Sequence, residues 1–146
     1  MLARHDGTSF CTGRSRFYDR GEGSVTRDPK IFIKIEPYSF GSPILGQLDT
    51  GATWSILNTE VARELSLLGG AGQPAKISTR VGEFHGWLER TQIDIIADEG
   101  QSLNFEATFF VSPDWPLDTF IGYSGLLDHV RFAVDPSDNS FYFSSV

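Results

Sequence analysis

Asp49, Thr50 and Gly51 stand together in a chain of 146 residues, entered from Ile44, Leu45 and Leu48 and left through Ser55-Ile56-Leu57. A carboxylate is a general acid–base group, and it serves as one when a turn holds it where a reactant can reach it. Gly51 has no Cβ, so it permits unusual backbone angles and lets a second backbone approach closely. Thr50 adds a hydroxyl that can donate or accept one residue from the carboxylate. Asp-Thr-Gly is also ordinary turn chemistry and occurs in phosphoryl-transfer enzymes, so the tripeptide alone defines no activity. Its context is more specific: Ala52-Thr53 follows, and apolar residues bracket the loop on both sides, which a surface turn does not require.

Elements able to position such a loop are legible around it. Ile31-Phe32-Ile33-Lys34-Ile35-Glu36 has strand character, Tyr38 to Pro43 is rich in turn formers, and Ile44 to Leu48 is the second strand of a hairpin that delivers Asp49. Gly46 and Gln47 interrupt the apolar alternation of that strand. Asn58 suits the N-cap of a helix carrying Val61, Leu65 and Leu68 on one face, ended by Gly69-Gly70. A long hairpin is expected from Lys76 to Ile96 and a strand pair from Leu103 to Val111. A short helical stretch at Leu126-Leu127 follows, then a closing hairpin of Phe132 to Asp135 and Phe141 to Phe143 around Pro136-Ser137-Asp138-Asn139. Trp54, bulky and just past the loop, is expected to pack in the core. The pattern is all-β with one or two short helices.

Three segments in this order, Leu48-Asp49-Thr50-Gly51-Ala52-Thr53, the Gly-containing stretch Thr79 to Trp87, and Phe120-Ile121-Gly122, resemble the active-site loop, flap and paired-apolar-then-Gly signature of retropepsin-like aspartic proteases. The chain is similar to the single-domain, bacterial-type form of that family, over roughly Lys30 to Phe143. The resemblance implies a single-lobe acid-protease β-barrel active as a two-fold homodimer. Only one such loop is present, since Asp118-Thr119 continues as Phe120, so each subunit of an isologous pair would give one Asp. By the same resemblance Asp49, Thr50 and Gly51 are catalytic, and Ala52, Val81, Gly82, Glu83 and Gly122 contribute to substrate binding. The implied activity is aspartic endopeptidase, with polypeptide as substrate and no cofactor. Pepsin-like enzymes commonly carry Ser where Ala52 stands. Ala cannot donate to the carboxylate, so activity nearer neutral pH is expected.

Composition suits one domain with a sizeable core, including 12 Phe, 3 Trp and 4 Tyr. The net charge of −7 disfavours nucleic acid and anionic membrane as partners. No apolar run has the length of a membrane span and the first residues lack a signal-peptide core, so a cytoplasmic location is expected. Residues 1–28 carry five Arg against four acids without apolar periodicity, which reads as a flexible N-terminal arm, with the protease-like domain spanning 29–146. Cys11, the one cysteine, reads as an incidental thiol in that arm. His5, His85 and His129 are isolated, so no metal is expected. Two other readings stay open: a catalytically inactive retropepsin-like domain serving as a peptide-binding or dimerisation module, and an unrelated small β-barrel in which Asp49 caps a turn.

Overall fold

The computed structural model describes residues 2–19 and 30–146. Eleven strands, one α-helix and one 3₁₀ turn make up these residues, and the strands fall into two sheets. The larger sheet begins with the expected hairpin, β2 (Phe32–Pro37) and β3 (Ile44–Leu48). Ile33 and Ile35 on β2 are fully buried while their neighbours are half-buried, the period-two burial of a strand on a core.

After the Asp loop come the short β4 (Ser55–Ile56) and α1 (Thr59–Glu64). Asn58 caps this helix as expected, its side-chain oxygen accepting from Glu60 N (2.9 Å) and Val61 N (3.2 Å). The helix nevertheless stops well before Gly69. Ser66 takes the left-handed conformation (φ 59°), Ser66 N–H donates to Arg63 O (3.0 Å) and Leu67 N–H to Ala62 O (2.9 Å), so the last carbonyls are satisfied without a glycine.

The expected hairpin is formed by β5 (Gln73–Thr79) and the long β6 (Gly82–Ile95), joined by Arg80 and Val81. After β7 (Glu99–Gly100), residues 103–111 form one continuous strand, β8 (Leu103–Val111), rather than a pair; it lies against β6 from Trp87↔Val111 to Ile95↔Leu103. β9 (Thr119–Ile121) runs parallel to β3, and β4 runs parallel to β8. Strand order is β2-β3-β9-β4-β8-β6-β5, and β2 pairs again with β6 through Ile35↔Ile95, which closes the sheet into a barrel. Phe109, Val111, Ile93, Ile95, Ile121, Leu57 and Leu126 fill its interior.

A 3₁₀ turn (Leu127–His129) leads to β10 (Val130–Asp135) and β11 (Ser140–Ser145), the expected closing hairpin. Here residues read as an arm take part in the fold. Gly13–Arg16 is β1, paired on one side with β11 and on the other with β7, so the second sheet has the order β10-β11-β1-β7. Cys11 is 2% exposed and Phe17 is in the core, so the thiol is enclosed rather than loose. The expected boundary at residue 29 lies outside the described residues. Among the described residues no helix is long and apolar enough to cross a membrane.

Candidate active site

Asp49 follows β3 directly, and its backbone is fixed on both sides. Asp49 N–H donates to Ile121 O of β9 (2.9 Å), and Ala52 N–H returns to Asp49 O (3.2 Å), closing a tight turn over Thr50 and Gly51. Gly51 N–H donates to the Asp49 carboxylate, at Oδ1 (3.0 Å). A backbone donor aimed at a carboxylate holds the side chain in one orientation. Gly51 is not among the glycines with positive φ, so the unusual backbone angles expected of it are not used. Asp49 is half-buried, and Thr50 and Gly51 are exposed at the loop tip.

Gly122 is where the chain closes behind the loop. A Cβ placed there would lie 2.5 Å from both C and O of Trp54 and 2.8 Å from Ser55 N, all backbone atoms that cannot swing aside. Its N–H donates to Ser55 Oγ (2.8 Å), with Ser55 fully buried. Tyr123 N–H donates to Ala52 O (2.9 Å) and Ser124 N–H to Thr53 O (2.8 Å), extending the clamp along the loop's far side. Gly46 has the same kind of cause: a Cβ there would be 2.6 Å from Ile121 Cδ1, so the residue that breaks the apolar alternation of β3 makes room for β9.

Facing the loop is the hairpin. Gly51, Ala52, Thr53, Trp54 and Ile56 on one wall and Lys76, Ile77, Ser78 and Thr79 of β5 on the other enclose a cleft of about 380 Å³. The β5 arm therefore overhangs the Asp loop within one chain. Val81, Gly82 and Glu83 are at the exposed hairpin tip, beyond this cleft; Val81 is 57% exposed. Thr79 Oγ1 shapes the tip, accepting from Val81 N–H (3.2 Å) and donating to Gly82 O (3.1 Å). Glu83 is engaged with Lys76 (3.6 Å), and His85, expected to lack a carboxylate partner, has its Nε2 3.5 Å from Glu83. Two of the expected substrate-binding positions, Ala52 and Gly122, are thus joined to the Asp loop, while Val81, Gly82 and Glu83 are set apart at the tip.

Two contributors have no sequence signal of their own. Ser55 is one. The other is an aromatic group under the hairpin: Trp115 stands edge-on to Phe84 (5.1 Å between ring centres) and to Phe120 (6.0 Å), and Trp115 Nε1 donates to Asp118 O (3.0 Å). Trp54 is half-buried against this group, in keeping with the expected packing role, and also lines the cleft.

No protein-family model matches the chain, and no curated protein matches it in sequence. Solved structures do. A retropepsin-like aspartic protease from Rickettsia conorii superimposes with a TM-score of 0.57 at 20% identity, covering 90% of this chain and 98% of that one. The retroviral protease-like domain of Ddi1 from Leishmania major gives 0.53 at 20% identity, covering 80% and 90%. At that identity the likeness establishes the fold: this chain has the retropepsin-like all-β fold.

Proposed function

We propose that this chain is an aspartic endopeptidase whose catalytic pair is one Asp49 from each of two subunits. The observation that carries the reading is the half-buried Asp49 carboxylate, held by Gly51 N–H at the base of a loop whose following residues, Gly51 to Trp54, line the cleft beneath β5. One carboxylate in such a loop would be half of a hydrolytic pair, and a two-fold axis through the loops would supply its equal.

Mechanism follows from electrostatics. Two carboxylates in contact cannot both ionise cheaply, so the pair holds one proton between them. The ionised Asp49 takes a proton from water as that water adds to the scissile carbonyl carbon, and the protonated one gives its proton to the carbonyl oxygen. The tetrahedral diol then collapses. Its C–N bond breaks as the nitrogen takes a proton, one hydroxyl proton returns to the dyad, and no acyl-enzyme forms. Thr50, exposed and next in the chain to Asp49, would bond its counterpart across the axis, and the β5–β6 hairpin would cover a peptide and exclude water. Ala52 offers no hydroxyl to the dyad, which favours an optimum nearer neutral pH than that of pepsin; an optimum below about 3.5, under the ordinary Asp range, would overturn this point.

Cleavage of a diverse peptide mixture by the wild type and Asp49→Asn, with mass in solution recorded, tests the proposal. Cuts made by the dimeric wild type alone support it. A dimer that cuts nothing at any pH moves the reading to an inactive peptide-binding or dimerisation module.

A further inference from the structure

We propose that a second cleft, which shares Trp54 with the one beneath β5, receives a lysine or arginine side chain of the polypeptide substrate, with Glu89 as its counter-ion. This rests on the endopeptidase reading above and deepens it, by naming a class of side chain that the substrate carries away from the scissile bond.

The cleft, of about 450 Å³, is at the root of the β5 arm, where Gly72 and Gln73 meet β6. Its apolar part follows from the β6–β8 register. Leu88↔Phe110 and Arg90↔Thr108 set these four residues on one face, and there Leu88 and Trp54 pack with the fully buried Phe110. Trp54, Leu88 and Thr108 all line the cleft. Because Trp54 belongs to both clefts, a polypeptide that lies under β5 and leaves past Trp54 enters the second one.

Glu89 gives this cleft its charge. Gly72 N–H donates to Glu89 Oε1 (2.7 Å), and a Cβ at Gly72 would lie 2.7 Å from Glu89 Cδ, so the carboxylate occupies space that only a glycine leaves. It is half-buried, and one backbone donor does not balance its charge. Among the described residues Glu89 forms no ion pair and its Oε2 accepts no hydrogen bond. Arg90, the other ion of the lining, is exposed and directed to Glu106 (3.8 Å), which leaves Glu89 uncompensated. Among the same residues the Thr108 hydroxyl and the Gln73 amide also have no hydrogen-bond partner.

An apolar wall beside a carboxylate and two neutral acceptors matches a long basic side chain. Lysine and arginine lay a methylene stem along apolar surface and present several donors at its end, and an indole attracts a cation. An acidic side chain would meet the charge of Glu89, and a purely apolar one would leave that carboxylate desolvated and unpaired.

The test uses a pool of randomised peptides. Captured by the Asp49→Asn chain, the pool should be enriched in Lys or Arg at one position, and the wild type should cut peptides with the basic residue at a constant distance from the cut. For a peptide pair with Lys or Gln at that position, kcat/KM should differ by about fivefold or more, the difference lying in KM. Glu89→Gln keeps an acceptor for Gly72 N–H, so the thermal transition should be retained while that ratio falls toward one. Thr108→Val removes an acceptor without changing shape and should lower the ratio less, and added salt should lower it in the wild type. If Glu89→Gln does not fold, these last two measurements decide. No basic preference in either assay, a preference for acidic residues, or a basic preference indifferent to Glu89, Thr108 and salt overturns the proposal. Asp49-dependent cleavage without the preference keeps the protease and discards this site. Glu89-dependent capture of basic peptides by a chain that cuts nothing keeps the site and discards the protease.

Discussion

Among single residues, Gly122 and Ser55 fix how well Asp49 is held, although neither can take part in the chemistry. Gly122→Ala pushes a methyl into the Trp54 and Ser55 backbone, which can yield only by moving the Asp loop. A loss of about 1–3 kcal/mol in urea unfolding is expected, together with a larger fall in peptide cleavage than that loss of folded protein explains. Wild-type stability in this variant would mean that β4 and β9 are not in firm contact. Ser55→Ala leaves Gly122 N–H buried without an acceptor and should cost about 1–3 kcal/mol. The double variant should lose less than the sum of the two, because both changes act at one contact. Asp49 and Gly122 are legible in the sequence because each belongs to a short motif in a fixed order. Ser55 is not, because a serine after a loop gains meaning only when β9 places an N–H over it. Gly46 shows the reverse: it looks like a flaw in β3 until the side chain of Ile121 is seen in the space it leaves.

The legibility of each element follows its burial pattern. Ile33 and Ile35 on β2, and Phe105, Ala107, Phe109 and Val111 on β8, alternate visibly, so those strands can be read directly. β1 cannot: its inward positions are Gly13 and Ser15 and its outward ones Arg14 and Arg16, so it has no apolar face to detect. Its place depends instead on pairing with β11 and on Asp98, whose Oδ2 accepts from Arg16 N (2.7 Å) and whose Oδ1 accepts from Lys34 Nζ (3.0 Å), tying β1 to β2. Arg16 N–H, with Lys34 and Arg14, holds the Asp98 carboxyl below the usual range against the opposing effect of partial burial. Because the folded value is the lower one, this carboxylate's stabilisation is present above the unfolded value near 3.8 and is lost as pH falls through the folded value. Asp98→Asn should therefore be less stable than the wild type at neutral pH, the gap closing on acidification. Urea midpoints measured from about pH 7 to about pH 2, a span that brackets the ordinary Asp range, test this. A gap that does not change with pH would remove Asp98 from the account of β1.

For the whole molecule, the retropepsin-like fold places one Asp loop under one hairpin, and in the proposed mechanism that loop is half of the hydrolytic site. That proposal sets how activity should depend on association. If both carboxylates come from Asp49, a wild-type subunit paired with an Asp49→Asn subunit has only one ionisable group and lacks the acid–base partner for the second proton transfer. Adding Asp49→Asn in growing excess to a fixed amount of wild type, with time for exchange, should therefore depress cleavage in proportion to the share of wild-type subunits left with a wild-type partner. Dilution of wild type alone should lower activity per chain once dimers dissociate. Activity per chain that ignores both the added variant and dilution would mean that a single subunit cleaves with one Asp49, and the two-fold dyad would have to be abandoned even though the fold and the loop remain as described.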